Sequence, residues 1–515
     1  MSAPAETTIT RWATTPPRAR AEQPARPHPL RRLPWAATIA GALLVTFIAW
    51  CGANALGPGA TLPAHGALTL AVFALAIWLW IFSSIGDTYV ALGAAVVLVV
   101  MGVLPDELLF TSLGEDTVWL LLAAFVIAAG ITASGLSTRA AAFIVTGARS
   151  VRQLAHLTTA TLVATAFAVP STSGRAALAV PVFVALATVF AHRRRLVLAL
   201  ALLFPSVILL SAVASLLGAG AHLITSQILT TAGYDGFSFA RWLLLGLPLA
   251  LVASHLCTEI ILLMFTTRED RREPVAVTLE EMARHAPVPI TGPLTVAQSR
   301  SALLIAAVVT LWCTEPLHGL HPAVVALLGS LVVASPRFGS VGLGKALKAV
   351  PWSMLMFMAA TLTLGSALVD SGAAEWLAGR VLAPVAAAGT AAGWVFVVVV
   401  VLVSTAAHLV IQSRSARSAV LVPIVVSLAP GVGVDPIAAA FASTAAAGFC
   451  HTLTSSAKPV TLFSDLEGTP GVENIESYEP RHLLRLSAVL APVSAVLVLV
   501  FAAVVWPAMG MPLFR

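Results

Sequence analysis

The sequence predicts an all-α integral membrane protein, and the prediction rests on composition, long apolar runs and an internal repeat. Of the 515 residues, 58% are hydrophobic and 10% are charged, whereas soluble domains carry about 25% charged residues. Apolar runs that match the roughly 20 residues of a helical span recur along the chain. One motif also recurs 242 residues later. We therefore expect about eleven transmembrane helices plus two re-entrant hairpins, arranged as two inverted repeats.

The apolar segments divide into uninterrupted and broken ones. The predicted spans are 36–56, 67–82, 88–104, 117–137, 199–229, 240–265, 301–316, 320–335, 352–370, 434–463 and 482–508. Two further apolar stretches, 155–190 and 392–428, are interrupted near the middle. We interpret both as hairpins that enter and leave the membrane on one side.

Basic residues support this topology, because cytoplasmic loops are enriched in Lys and Arg. With the N-terminus inside, 22 of the 29 basic residues lie in inside segments, and three (Arg241, Arg380 and Arg515) lie outside. If either hairpin were a full span, every later loop would change sides and the bias would be lost. The C-terminus is therefore expected outside. This sorting also argues against nucleic-acid binding, despite a net charge of +6.

The chain divides into four regions. Residues 1–34 hold seven Pro, six Arg and two acidic residues, which is typical of a disordered cationic tail rather than a signal peptide. The N-terminal half, 35–265, contains the first hairpin, and the C-terminal half, 301–515, contains the second. The charged segment 266–300 between them is expected to be a cytoplasmic connector.

The internal repeat relates the two hairpins. Residues 171–182 read STSGRAALAVPV and residues 413–424 read SRSARSAVLVPI. A second correspondence precedes it, with Ser134-Gly135 after one span and Ser371-Gly372 after another. Because the charge pattern places the two hairpin mouths on opposite sides, the repeats are inverted, as in many secondary transporters.

Each hairpin tip has the features of an anion site. Backbone N–H groups at a helix start have no intrahelical partner, and the helix dipole is positive there. Broken backbone at membrane depth is tolerated where it is buried in protein or lines a cavity. The candidate ligands are Ser171, Thr172 and Ser173 at the first tip, and Ser413 and Ser415 at the second.

Two later spans are also interrupted, at 215–224 with His222 and at 451–462 with Lys458 and Pro459. Paired interruptions in corresponding halves indicate a binding site near the bilayer midplane. Lys458 is a candidate for this site, although it could also snorkel to the membrane surface. His222 could bind substrate or carry a proton, or be a core histidine bonded to a backbone carbonyl.

Charged residues inside the membrane segments are candidates for substrate binding. Arg175 and Arg417 occupy the same position of the repeat, and two interpretations stay open: each caps backbone carbonyls, or each attracts an anionic substrate. Arg414 lies in the second tip itself. Glu259 could carry a proton, but pairing with a nearby base such as Arg268 is favoured.

These segments resemble the divalent anion:sodium symporters over roughly 85–505. The tips STS and SRS stand where that family has Ser-Asn-Thr, and GAGAH (218–222) and SAKPV (456–460) stand at its two broken-helix elements. The stretches 117–136 and 350–378 are also similar to that family. The resemblance implies an elevator-type mechanism, a homodimer, and transport of a dicarboxylate, a tricarboxylate or sulfate.

The resemblance also implies ion sites, and here the sequence departs from the family. One sodium site would include Ser171, Thr172 and Gly218, and the other Ser413, Arg414 and Ala457. The signature asparagines are replaced by Thr172 and Arg414. Our hypothesis is that Arg414, with Lys458, acts as a fixed positive charge in place of sodium. The coupling ion would then be H⁺ or a single Na⁺, or the transporter would exchange anions.

The expected function is secondary active transport of a small divalent anion across the plasma membrane, with no cofactor besides a coupling ion. The first alternative is a related oxyanion permease or anion exchanger of the same superfamily. An intramembrane enzyme would need an acidic orienting partner near Ser171 or Ser413, and the sequence offers none there. A passive channel is disfavoured because no charged-ring filter is present.

Overall fold

The computed structural model describes residues 34–57, 60–137, 139–140, 146–275, 291–386, 389–454, 456–464 and 477–515. Over these residues the chain is helical, and its β pairing is limited to two isolated bridges, Ser150 with Pro274 and Val434 with Phe514. Eleven of the described helices are long and apolar enough to cross a membrane. The prediction of an all-α membrane protein with about eleven spans is confirmed. The predicted tail, except for Pro34, lies outside the described residues, and so does 276–290 of the connector.

The N-terminal half contributes ten described helices before the connector. They are α1 (Pro34–Leu56), α2 (Ala64–Phe82), α3 (Asp87–Val100), α4 (Asp106–Thr111), α5 (Asp116–Ser134), α6 (Val151–Ala164), α7 (Thr172–Val189), α8 (Arg194–Leu210), α9 (Gly220–Thr231) and α10 (Phe239–Phe265). The connector adds the short helix α11 (Arg268–Arg272).

The C-terminal half follows the same order. Its described helices are α12 (Val296–Cys313), α13 (Glu315–His318), α14 (Pro322–Val333), α15 (Leu343–Ala349), α16 (Trp352–Asp370), α17 (Ala373–Ala386), α18 (Ala392–Ala406), α19 (Arg414–Leu428), α20 (Pro436–Ala446), α21 (Lys458–Ser464), α22 (Pro480–Val500) and α23 (Trp506–Ala508).

The count of spans agrees with the prediction, but their membership differs. Three predicted spans, 88–104, 320–335 and 434–463, contain the shorter apolar helices Asp87–Val100, Pro322–Val333 and Pro436–Ala446. In their place, three segments from the predicted hairpins are long enough to span: Thr172–Val189, Ala392–Leu409 and Arg414–Val432. Hydropathy alone could not separate these cases, because an arm and a span have the same apolar composition.

Equivalent helices of the two halves make equivalent contacts with the opposite half. In the N-terminal half, α7 packs on α8 and on α21 of the other half. Its counterpart α19 packs on α20 and on α9 of the first half. The pairs α5–α14 and α3–α16 show the same exchange. This reciprocal packing supports the predicted repeat and brings both tips beside both broken helices.

Both predicted interruptions are present as breaks between helices. After α8 the backbone forms two 3₁₀ turns, Ser211–Ala214 and Leu216–Gly218, before α9 begins at Gly220. A Cβ on Gly218 would lie 2.0 Å from the carbonyl oxygen of Ala212, so this tight turn requires glycine. In the second half, α20 ends at Ala446 and α21 begins at Lys458. The predicted spans 199–229 and 434–463 are therefore each a pair of shorter helices.

The connector begins with a clasp, which joins α11 to the ends of the predicted first hairpin. The Arg193 guanidinium donates to the Asp270 carbonyl (2.8 Å), and the Val275 N–H donates to the Arg149 carbonyl (3.1 Å). The Asp270 carboxylate caps α11, and the backbone N–H of Thr267 holds the pKa of that carboxyl below its ordinary value. The clasp ties the hairpin ends to the end of α10.

Helix α10 fits closely against the first break. The Trp242 indole donates to the Val213 carbonyl at 2.9 Å, and one turn later a Cβ on Gly246 would lie 2.1 Å from the same oxygen. Glycine at position 246 therefore lets α10 approach the unwound backbone.

The Gly246→Ala variant is expected to lose about 1–3 kcal/mol of stability, because the added methyl forces α10 away from the Val213 carbonyl. The measurement is the thermal unfolding midpoint in detergent, followed by tryptophan fluorescence. Gly93→Ala is the matched control, since a Cβ there meets nothing within 4 Å. Equal midpoints for the two variants would contradict the close fit.

Candidate functional site

The two tips are built alike. Ser171 caps α7 by accepting a hydrogen bond from the Gly174 N–H, and Ser413 caps α19 by accepting one from the Ala416 N–H, both at 3.3 Å. A serine at a helix N-cap satisfies one of the free N–H groups there. The predicted ligands Thr172, Ser173 and Ser415 follow these caps, and all three are half-buried. A Cβ on Gly220 would lie 3.4 Å from the Ser415 hydroxyl, so the second tip meets the start of α9.

Arg175 is buried and fully engaged by the protein. Its side chain is 1% exposed. The Nε group donates to the Thr165 hydroxyl (2.9 Å), and Nη1 donates to the Ile208 carbonyl (3.0 Å). The Nη2 group donates to the Leu162 carbonyl and the Ser211 hydroxyl, both at 2.6 Å. These bonds hold α6, α7 and the end of α8 together, as the carbonyl-capping interpretation requires.

Arg417 occupies the same repeat position as Arg175, but the hydrogen bonding of its guanidinium is different. Its side chain is 0% exposed, and among the described residues none of its three guanidinium nitrogens has a hydrogen-bond partner. The Cys450 thiol lies beside it, but a thiol is only a weak acceptor. Two atoms close to Arg417 in sequence, Gln412 Nε2 and Ser418 Oγ, are also buried without a partner among the described residues. An unpaired buried guanidinium costs several kcal/mol, so this position requires an acceptor.

The repeat explains why the two arginines differ. Ala407 and Leu453 stand 242 residues after the two hydroxyl partners of Arg175. Neither side chain can accept a hydrogen bond, so the second repeat keeps the arginine and lacks the two hydroxyls that hold the first one.

Arg414 links the two broken helices. Its Nη2 group donates to the carbonyl oxygens of Leu209 and Gly448, at 3.0 and 2.6 Å. Its charge is close enough to interact with those of Arg175 and Arg417. Among the described residues, none of the three arginines makes an ion pair with a carboxylate. The structure thus gathers three of the predicted site residues into one uncompensated positive cluster.

His222 is a core histidine with one face toward this cluster. It is 1% exposed, its Nδ1 lies 3.0 Å from the Ser215 carbonyl, and its ring stacks on Trp242. A cavity of about 20 Å³, enough for one water molecule, is lined by His222, Arg414 and Gly448 among others. His222 therefore lines the same small cavity as Arg414, and its bond to Ser215 matches the core-histidine interpretation.

Lys458 differs from the buried arginines Arg175 and Arg417 in its exposure. It begins α21 and is exposed, which favours the snorkelling alternative. A cavity of about 300 Å³ elsewhere in the structure is also unsuited to an anion. It lies between α9, α16, α17 and α19, and its one charged lining residue is Glu375.

The predicted pairing of Glu259 with Arg268 is wrong. The Glu259 carboxylate instead accepts from Arg152 Nε at 2.6 Å and lies 2.5 Å from His156 Nε2. His156 Nδ1 in turn lies 2.7 Å from His255 Nδ1. These contacts join α6 to α10. Arg268 lies beyond the end of α10, whereas Arg152 and His156 lie on the neighbouring helix α6.

The sequence analysis missed the residues that surround the two arginines. Thr165 and Ser211 hold Arg175, and Cys450 lies beside Arg417. The spacing of 242 extends beyond the 12-residue motif and relates Thr165 to Ala407 and Ser211 to Leu453, so a longer comparison of the two repeats would have pointed to these positions.

Span-length helices, paired breaks and a buried cationic cluster define a multi-pass secondary anion transporter. The citrate transporter family model (CitMHS) matches residues 73–446, and the chain belongs to that family. A "Membrane protein" of Cupriavidus necator is 25% identical over 406 residues, covering 76% of this chain and 74% of that protein. The crystal structure of the YdaH transporter of Alcanivorax borkumensis aligns with a TM-score of 0.49 and 17% identity, covering 88% of this chain and 100% of that one.

The two repeat-related arginines should respond oppositely to replacement by methionine. Arg175→Met is expected to cost about 2–4 kcal/mol of stability, since four acceptors lose their donor. Arg417→Met removes an unpaired buried charge and should leave the substrate-free protein equally stable or up to about 4 kcal/mol more stable. Thermal unfolding midpoints in detergent without substrate compare the two. Similar losses in both variants would contradict the assigned difference.

Proposed function

We propose that this chain transports a small di- or tricarboxylate, with citrate as the first candidate, across the plasma membrane. The observation that carries the proposal is the unpaired, fully buried guanidinium of Arg417. Membership of the citrate transporter family supports the carboxylate class. The substrate carboxylate would accept the hydrogen bonds that the protein leaves unmade.

Guanidinium geometry favours this substrate class. The guanidinium presents parallel N–H donors that match the two oxygens of a carboxylate. Arg414 lies within electrostatic reach of Arg417 and would compensate a second carboxylate. The amide of Gln412 and the hydroxyl of Ser418, both without partners, add neutral groups for the remaining substrate oxygens. A divalent oxyanion such as sulfate is the competing substrate, and the uptake assay below includes it.

Arg175 has a positioning role in this proposal. Four of its five N–H donors are taken by protein acceptors, so it supplies charge and at most one further hydrogen bond. The hydroxyls of Ser171 and Ser413 keep their cap geometry and can still donate their own hydrogen. Thr172, Ser173 and Ser415 would line the approach, and His222 would close the site on the side of α9.

Movement of the site would follow an elevator-type mechanism. Helices α6, α7, α8 and α21, with parts of α10 and α22, share one apolar core. A second core contains α2, α3, α5, α14 and α16, together with α9, α18, α19 and α20. We propose that the hairpins and broken helices move as a body against α1–α5 and α12–α17. The N-terminus would be cytoplasmic, the C-terminus extracytoplasmic, and the protein a homodimer.

Arg417→Gln is expected to reduce uptake of radiolabelled citrate into proteoliposomes by on the order of 100-fold, because the charged bidentate contact is lost. Arg417→Lys keeps the charge but not the fork, and should reduce uptake by about 10-fold. Succinate and sulfate are measured in parallel to identify the substrate class. Wild-type rates in Arg417→Gln at equal reconstitution would overturn the assignment.

A gain-of-partner variant is the matched control. Ala407→Thr with Leu453→Ser supplies Arg417 with the hydroxyls that Arg175 already has. The guanidinium should then bond to protein, so that KM rises by about 10-fold while the unfolding midpoint rises. A rise in stability with unchanged KM would show that Arg417 does not contact the substrate.

A further inference from the structure

The junction of the two broken helices has the electrostatics of a cation site. Leu209 lies in the last turn of α8, and Gly448 follows the end of α20. Carbonyls at helix C-terminal ends lack intrahelical donors and carry partial negative charge. In transporters with discontinuous helices, such carbonyls coordinate the coupling cation. The Leu209 and Gly448 carbonyls converge on one point, since both accept from a single nitrogen.

The group that both carbonyls contact is a side chain of the protein itself. Arg414 Nη2 donates to both carbonyls, at 3.0 and 2.6 Å. The Gly448 Cα lies against this guanidinium, since a Cβ added there would be in ordinary van der Waals contact with Nη2, at 3.8 Å. A sodium ion needs several oxygen ligands and would be repelled by the guanidinium charge at this distance. The residues around Arg414 therefore do not fit a sodium ion.

The first repeat shows a related solution at the equivalent carbonyl. Ser206 stands 242 residues before Gly448, and its carbonyl oxygen lies 3.3 Å from His451 Nε2. Position 172, which corresponds to Arg414, is a threonine and carries no charge. Both equivalent carbonyls thus face a nitrogen of the protein, and the permanent charge is at the second junction.

We propose that Arg414 is a tethered counter-cation that takes the place of a coupling metal ion at this junction. It makes binding of the anion independent of sodium there. The identity of the anion in this inference rests on the proposed function. The role of Arg414 as the cation rests on its contacts with the Leu209 and Gly448 carbonyls. The first sodium position predicted from the resemblance, at Ser171, Thr172 and Gly218, is a separate site.

The first test measures ion binding without any substrate. Thermal unfolding midpoints of detergent-solubilised wild type and Arg414→Gln are compared in NaCl and in choline chloride of equal ionic strength. Wild type is expected to show equal midpoints. Arg414→Gln, which frees the two carbonyls from the guanidinium, is expected to be stabilised by sodium. An Arg414→Gln variant that gains no more sodium stabilisation than wild type would overturn the proposal, and this comparison does not depend on which anion is transported.

The second test measures citrate uptake into proteoliposomes with sodium or choline on both sides. Wild type should be equally fast in both, whereas Arg414→Gln should lose about 10-fold in choline and recover part of this loss in sodium. Arg414→Lys keeps a tethered cation and should stay sodium-independent. Equal sodium dependence of wild type and Arg414→Gln would overturn the proposal. If wild type takes up no citrate, succinate or sulfate, the proposed function fails, while the substrate-free comparison still decides the role of Arg414.

Discussion

Backbone groups freed at helix breaks impose the constraint on which the rest of this structure depends. Lipid offers no hydrogen bonds, so each break inside the apolar segments must be satisfied by the protein or by what it binds. Here long side chains from neighbouring elements reach the free carbonyls: Arg175 reaches Ile208, Trp242 reaches Val213, and Arg414 reaches Leu209. These same bonds bring arginines into the interior, so the solution to the backbone problem also creates an anion-attracting centre.

The two copies of the repeat motif carry arginines with different surroundings. Arg175 and Arg417 share a helix position and complete burial, yet only Arg175 has acceptors on every guanidinium nitrogen. The two hydroxyl partners of Arg175 are absent at the equivalent positions, which are Ala407 and Leu453. Under the proposed function, one copy of the motif supports the fold and the other is left to bind the substrate.

Elements set by local patterns were predictable from sequence, whereas contacts between distant elements were not. The N-caps Ser171 and Ser413 and both helix breaks follow from a few adjacent residues. Which arms reach span length depends on tertiary packing that composition does not encode. The satisfaction of Arg175 depends on Ser211, 36 residues away on another element. The pairing of Glu259 failed for the same reason, since its partner Arg152 comes from a helix 107 residues earlier.

A tethered cation changes the energetics of the empty carrier. A coupling ion that binds with the anion leaves with it, so the carrier returns without the pair. The guanidinium of Arg414 cannot leave, and without an anion the cluster with Arg175 and Arg417 keeps its full charge. Moving that charge through a low-dielectric region costs several kcal/mol, unless another anion or a compensating proton shift accompanies it. Return loaded with a counter-anion avoids this cost, so the arginine cluster favours exchange over a sodium-driven cycle.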